Sequence, residues 1–203
     1  MSEGPPMDTT MSANAATAGF VPGDRGRVGM ACLIFAESAF FSIFLVAYLF
    51  YIGKSATGPQ PAQVLDFPVL ATVCLLSSSG TIAVALRSLG SGRVARFGVA
   101  WGLTIALGVA FLGFTAQEWQ RLIYVDGLTL RTNLFGTTFY SLVGFHAVHV
   151  LLGVLMMTGV ALLALTGRVN SEHAPRVELV GWYWHFVDAV WLAVLTVVYV
   201  LGR

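Results

Sequence analysis

The chain has 203 residues, of which 57% are hydrophobic and only 10% are charged, and its mean hydropathy is +0.79. Soluble domains carry roughly 25% charged residues, so this composition excludes a soluble globular domain and predicts an integral membrane protein. The net charge of +1 gives no indication of nucleic-acid binding.

The chain opens with a segment rich in Ser, Gly, Pro, Thr and Ala, which is typical of a mobile tail. We predict that this tail covers residues 1–27 and that residues 28–203 form one membrane domain. The first apolar run is too long for the core of a signal peptide, and no small-residue cleavage site follows it.

Five apolar runs are long enough to cross a bilayer, because a transmembrane helix needs about 20 mostly apolar residues. They are Val28–Ile52, Phe67–Leu86, Phe97–Ala116, Leu134–Thr166 and Leu179–Leu201. The fourth run is long enough to tilt or to extend beyond the bilayer. The sequence therefore predicts an all-α membrane protein, a bundle of five transmembrane helices.

Basic residues in the connections predict the orientation of this bundle. Seven fall on the N-terminal side, namely Arg25, Arg27, Arg87, Arg93, Arg96, Arg168 and Arg176. Four fall on the other side, namely Lys54, Arg121, Arg131 and Arg203. By the positive-inside rule the N-terminus is cytoplasmic and the C-terminus lies outside.

Small and aromatic residues predict how the helices pack. Glycines that allow close helix contacts are Gly98, Gly102, Gly108 and Gly113 on the third span and Gly144, Gly153 and Gly159 on the fourth. The tryptophans expected in interfacial aromatic belts are Trp119, Trp182 and Trp184. Cys32 and Cys74 lie inside apolar runs and are expected to be small buried side chains, with no disulfide or Cys-x-x-Cys metal site.

Two glutamates lie in or near the spans. Glu37 is roughly 14 Å into the first span, close to the bilayer midplane. An ionised carboxylate at that depth is expensive unless another helix supplies a partner. Glu118 is expected at the outer end of the third span.

Two pairs of polar residues within the spans have the same spacing, one of two histidines and one of a histidine and an aspartate. His146 and His149 lie three residues apart in "GFHAVHVLLG" and therefore share one face of the fourth helix. His185 and Asp188 repeat this spacing on the fifth helix, in "GWYWHFVDAVW". Together with the two glutamates they form the polar seam that we predict inside the bundle.

Four interpretations of the polar seam compete. The side chains could bind iron or copper, although the sequence lacks the Glu-x-x-His spacing of di-iron bundles. They could ligate haem, although both close histidines are on one helix. They could carry protons, or they could form hydrogen bonds between helices and to lipid head groups. The residues alone leave all four open and favour the structural interpretation.

Arg87, Arg93 and Arg96 flank the second and third spans on the predicted cytoplasmic side. Such clusters attract anionic lipid head groups, and each residue contributes about 1 kcal/mol near the surface. These arginines are therefore candidate lipid head-group ligands, with topology alone as the alternative role.

Five stretches carry a resemblance to a known family. In chain order they are "RVGMACLIFAESAFFSIF", "CLLSSSGTIAVA", "GFTAQEWQRL", "NLFGTTFYSLVGFHAVHVLLG" and "GWYWHFVDAVWL". From Gly26 to Gly202 the chain resembles subunit III of the haem-copper oxidases, the terminal respiratory oxidases that reduce O2 to water.

The resemblance implies a non-catalytic subunit of a proton-pumping oxidase in the bacterial inner membrane. It implies subunits I and II as partners, with haem and copper in those subunits and no metal or cofactor in this chain. Bound phospholipid, support of proton uptake and support of the catalytic subunit's stability are further implications, and a larger respiratory supercomplex is a possible assembly. The seam residues that match family positions are Glu37, His146, His149, His185 and Asp188.

The chain departs from the family's longest members, which have seven helices. The two helices that it lacks form one arm of a lipid cleft, so a neighbouring subunit would have to complete that cleft here. The "AESAFF" and "WYWHFVDAVW" stretches favour a cytochrome c oxidase over a quinol oxidase. A stand-alone membrane metalloprotein or transporter is the remaining alternative. A transporter is disfavoured because no repeat is visible and the spans contain no proline apart from Pro68, at the extreme start of the second.

Overall fold

The computed structural model describes residues 22–55 and 57–202. The helices are α1 (Pro22–Tyr51), the short α2 (Pro61–Val64), α3 (Val69–Gly90), α4 (Val94–Tyr124), α5 (Leu134–Leu165) and α6 (Ala174–Val194). A 3-10 turn, Ser171–His173, precedes α6, and a π-helical segment, Leu195–Leu201, continues it. Five of these helices are long and apolar enough to cross a membrane, which confirms the predicted all-α bundle of five spanning helices.

Three helix boundaries differ from the sequence prediction by five residues or more. Helix α1 begins at Pro22, six residues before the predicted start of the membrane domain at residue 28; residues 1–21 lie outside the described part of the chain. Helix α4 continues past Ala116 to Tyr124 and therefore includes the polar residues that follow the apolar run. Helix α6 begins at Ala174, and Pro175 in its first turn suits a helix start.

Helix α6 is the central element of the bundle. It packs against α1, α3 and α5, and it is the most buried of the five spans. Helices α3 and α4 form an antiparallel hairpin, and α4 also packs against α5. Helix α1 contacts mainly α5 and α6, and most of its surface is exposed.

The tightest helix contacts are built around Trp184 in the middle of α6. This side chain is fully buried and donates a hydrogen bond from its indole N–H to Ser78 Oγ on α3, at 2.8 Å. A Cβ added at Gly108 on α4 would be 2.8 Å from the indole ring, and one added at Gly153 on α5 would be 2.7 Å from it. The predicted belt position for Trp184 is therefore wrong, because α6 begins earlier than predicted and places this residue at mid-helix.

The other packing predictions have mixed outcomes. Gly108, Gly153 and Gly144 make close contacts as predicted, whereas Gly98, Gly102, Gly113 and Gly159 face open space and do not. Cys32 is exposed and Cys74 is partly exposed, so the prediction of buried thiols is wrong for both. The periodicity of an all-apolar helix does not indicate which face meets another helix, and this is why these positions were mispredicted.

Candidate functional site

Glu37 and His149 form a contact between the middles of α1 and α5. His149 Nε2 lies 3.2 Å from Glu37 Oε2, and the two side chains are 12% and 28% exposed. The partner that an ionised mid-span carboxylate requires is therefore present on another helix. The ring of Phe41, one turn along α1, packs against the His149 ring with centroids 4.9 Å apart.

The hydrogen bonds of His149 limit the protonation states of this pair. Nδ1 lies 2.7 Å from the Phe145 carbonyl oxygen, which can only accept, so Nδ1 carries a proton. With a neutral ring, Nε2 must accept a hydrogen bond from a protonated Glu37. With an ionised Glu37, Nε2 must carry a proton and donate. In both cases one proton is shared between the two side chains and the pair has no net charge, which suits its depth in the membrane.

His146 has a different environment although it is only three residues from His149. It is fully buried, and its ring stacks on Trp191 of α6 with centroids 5.2 Å apart. Phe111 of α4 meets the same ring edge-on at 5.8 Å. Neither ring nitrogen has a hydrogen-bond partner among the described residues. The expected interhelical hydrogen bond is thus replaced at this position by aromatic packing.

His185 and Asp188 of α6 both contact Ser79, in the middle of α3. The Ser79 hydroxyl donates to Asp188 Oδ2, and His185 Nδ1 lies 3.1 Å from the same hydroxyl oxygen. Because a hydroxyl has one proton, His185 must donate to Ser79 when Ser79 donates to Asp188. The result is a directed chain from His185 through Ser79 to Asp188 that joins α6 to α3.

Glu118 belongs to a separate cluster nearer the end of the bundle. It accepts hydrogen bonds from the Tyr199 hydroxyl at 3.1 and 3.3 Å, and Tyr199 lies on the π-helical segment. One turn further along α4, Arg121 binds Asp66 and the Val64 carbonyl oxygen. Glu118 is ten residues from mid-helix Gly108, about 15 Å along the helix axis. It therefore lies apart from the mid-bundle groups with which we had placed it in one seam.

The predicted polar seam is thus a set of separate groups. Within residues 22–55 and 57–202, no three His, Cys, Asp or Glu side chains come together in an arrangement that could hold a metal ion. Each mid-bundle group instead contacts an adjacent helix, by a hydrogen bond or by ring packing. This arrangement fits groups that fix helix positions and share protons locally.

Arg87, Arg93 and Arg96 are brought together by the α3–α4 turn. They line one cavity of about 200 Å³ together with Val84, Ser88 and Ser91. The sequence had placed the three arginines on the same side of the membrane, and the turn makes them neighbours in space.

Comparison with known proteins identifies the family. The family model for cytochrome c oxidase subunit III matches residues 11–203. The chain belongs to the cytochrome c oxidase subunit III family. It is 32% identical to a protein named cytochrome c oxidase subunit 3 of Alkalihalophilus pseudofirmus. The match extends over 168 residues, which are 82% of each chain.

Further subunit III relatives come from bacteria and from animals. The subunit of Bacillus sp. strain PS3 is 30% identical over 182 residues, which cover 89% of this chain and 87% of the relative. The rabbit subunit, from Oryctolagus cuniculus, is 34% identical over 187 residues, which cover 87% of this chain and 69% of the relative. The smaller matched share of the rabbit protein agrees with the existence of longer family members.

Sequence reasoning missed several residues of this subunit III that join helices. Ser79 lies in the serine-rich stretch, but three adjacent serines give no sign of which of them contact α6. Tyr183 donates to the His149 carbonyl oxygen at 3.1 Å, and Trp101 donates to the Met157 carbonyl oxygen at 2.9 Å. Amphipathic aromatic residues within apolar runs are the signal that could have identified the last two, because a buried indole or phenol seeks a hydrogen-bond acceptor.

Proposed function

We propose that this chain is the non-catalytic subunit III of a proton-pumping cytochrome c oxidase in a bacterial inner membrane. The family match over residues 11–203 carries the proposal. In this role the chain docks on subunits I and II, which hold haem and copper, and it supports proton uptake and the stability of the catalytic subunit. These relatives are cytochrome c oxidase subunits, which favours cytochrome c over quinol as the electron donor.

The geometry supports a structural role for the mid-bundle polar groups. Glu37 with His149 joins α1 to α5, and the Ser79 cluster joins α3 to α6. These contacts connect the peripheral helix α1 and the α3–α4 hairpin to the rest of the bundle. A rigid bundle of this kind presents a fixed surface to a larger subunit and binds phospholipid along its sides.

Co-purification tests the proposal directly. We expect an affinity-tagged chain, extracted from its native membrane in mild detergent, to retain two larger subunits, which peptide mass spectrometry would identify. The assembly should show a reduced-minus-oxidised haem spectrum and contain copper. A tagged chain that is recovered alone, with no haem-containing partner, would contradict the assignment.

Replacing His146 or His149 with alanine is expected to leave the metal content of the assembly unchanged. Among the residues that the structure describes, neither histidine belongs to a cluster that could hold a metal, and each contacts aromatic or hydrogen-bonding groups of adjacent helices. Haem and copper per assembly can be measured by absorbance and by elemental analysis. Loss of one equivalent of either metal in a variant that still assembles would show that this chain supplies a ligand.

Replacing Glu37 with glutamine is expected to leave turnover unchanged relative to the native oxidase at acidic, neutral and alkaline pH. The glutamine amide can donate to His149 Nε2 as a protonated carboxyl does, so the contact between α1 and α5 is retained. Oxygen consumption by the purified assemblies across this pH range measures the ratio of variant turnover to native turnover. A loss confined to alkaline pH, where protons are scarce, would show instead that Glu37 delivers protons to the catalytic subunit.

The matched control is Glu37→Leu, which has similar volume and leaves Nε2 of His149 without its partner. A structural role predicts that this variant loses stability during turnover at every pH, while Glu37→Gln does not. Equal stability of the two variants during turnover would show that the hydrogen bond between Glu37 and His149 does not stabilise the subunit.

A further inference from the structure

The turn between α3 and α4 brings three arginines together. Helix α3 ends at Gly90, and two residues later Gly92 lies in the left-handed region, at φ +71°, where its N–H donates to the Leu89 carbonyl oxygen at 3.0 Å. The N–H of Arg93 bonds to the Ser88 carbonyl oxygen at 2.9 Å, so the chain reverses within three residues. Arg87 in the last turn of α3 therefore lies beside the first turn of α4, which contains Arg96.

The arginine cavity is strongly positive. It measures about 200 Å³, and its polar wall contains the three arginines with Ser88 and Ser91. The ion pairs found in the described part of the chain involve Arg27, Arg121 and His149, and none reaches Arg87, Arg93 or Arg96. The first turn of α4 contains no acidic residue, and the positive end of its helix dipole is at this cavity. Charge complementarity therefore favours an anion here, and arginine forks fit phosphate oxygens well.

An apolar groove runs from this cavity towards the middle of the bundle. It measures about 510 Å³ and lies between α3 and α4, with Gly80, Val84, Val99 and Leu103 in its wall. Val84 and Arg96 line both the cavity and the groove, so the two spaces adjoin. From Arg87 to Ser77 the groove follows ten residues of α3, about 15 Å, which is half of a hydrocarbon core about 30 Å thick.

We propose that this cavity and groove bind one anionic phospholipid. The phosphodiester lies among Arg87, Arg93 and Arg96, and one acyl chain lies in the groove beside Gly80. An anionic phospholipid matches both the arginine cavity and the apolar groove. A free phosphate would leave the groove empty, and a zwitterionic lipid would leave the guanidinium charge unbalanced. The site deepens the lipid-binding part of the proposed function and shares no residue with the contact between Glu37 and His149.

The charge arm of the test uses the full chain, purified in mild detergent and incubated with dioleoyl phosphatidylglycerol. Native mass spectrometry should show about one lipid retained per chain, with dioleoyl phosphatidylcholine retained far less. The double variant Arg93→Gln, Arg96→Gln should weaken retention by about 30-fold, since each arginine near an anionic head group contributes about fivefold in affinity. The control Arg168→Gln, Arg176→Gln removes the same charge from the α5–α6 connection and should retain the lipid.

The groove arm keeps every charge in place. A Cβ at Gly80 meets nothing within 4 Å, so Gly80→Phe should fill the groove without disturbing the bundle, and it should release the lipid. Gly159→Phe on α5 also points into open space but lies outside the groove, and it should have no effect. This arm remains decisive even if the arginine variant folds poorly or inserts in the wrong orientation.

Any of four outcomes would overturn the proposal. Equal loss of bound lipid in the two double arginine variants would show that surface charge attracts the lipid diffusely. Unchanged retention in Gly80→Phe, or full displacement of the lipid by inorganic phosphate, would show a simple anion site. Unchanged retention in Arg93→Gln, Arg96→Gln would leave topology as the role of these arginines. Because the readout is lipid bound to the chain, failure here is distinct from failure of the chain to co-purify with an oxidase.

Discussion

Replacing Trp184 with alanine is expected to lower the apparent unfolding temperature of the chain by about 10 °C. Burial of this side chain is complete, and its ring fills the space between α4 and α5 at Gly108 and Gly153. Truncation of a buried tryptophan leaves a cavity and costs about 3–5 kcal/mol, and each kcal/mol shifts the midpoint of a chain of this size by about 2–4 °C. The variant also loses the hydrogen bond to Ser78. Size-exclusion chromatography of a heated fluorescent fusion in mild detergent measures the midpoint.

Trp182 provides a matched control two residues away. It is only partly buried, and no hydrogen bond from its indole is found in the described part of the chain. We expect Trp182→Ala to lower the midpoint by less than about 3 °C, in line with the small effects of substitutions outside a core. A drop as large as that of Trp184→Ala would mean that tryptophan in this part of α6 acts in general through the detergent or lipid boundary and not through the core.

Gly153→Ala, which adds a single methyl group to α5, is expected to lower the midpoint by about 5 °C. The new Cβ would be 2.7 Å from two atoms of the Trp184 ring. The ring cannot retreat, because Gly108 contacts its other part and Ser78 holds its N–H. Overpacking of this kind costs about 1–3 kcal/mol. The same thermal assay measures the change.

Gly159→Ala is the control for this methyl group. It lies on the same helix, and its Cβ would meet nothing within 4 Å. Alanine is favoured over glycine within a helix by about 1 kcal/mol, so this variant should be as stable as the native chain or slightly more stable. If both variants lost stability equally, the close contact at Gly153 would not be the cause.

The stability of this contact bears on the proposed function. Trp184 joins α6 to α3, α4 and α5, whereas the Glu37 contact with His149 joins the more exposed α1 to α5. Loosening the core is therefore expected to disturb all helices at once, while loosening the Glu37 contact affects one peripheral helix. An oxidase assembled with Gly153→Ala should lose this subunit during purification more readily than one assembled with Glu37→Gln.

The amino-acid sequence by itself determined the membrane class, the five spans and the family. These depend on the length of apolar runs and on ordered motifs, both of which are local properties of the chain. The need of Glu37 for a partner also followed from its depth in an apolar span. Helix ends were less predictable, because polar residues such as Glu118 and Arg121 continue α4 beyond the apolar run and find their partners, Tyr199 and Asp66, on distant segments.

Only the tertiary structure decided which polar group meets which. His146 and His149 have the same residue type and nearly the same depth, but three residues of helix turn their side chains by about 60° relative to each other. That rotation directs His149 to the carboxylate of α1 and His146 into the aromatic core between α4 and α6. Likewise, Trp184 is a core residue because Gly108 and Gly153 leave room for it on two other helices. The identity of the neighbouring helix is a property of the assembled bundle, and no spacing within one helix encodes it.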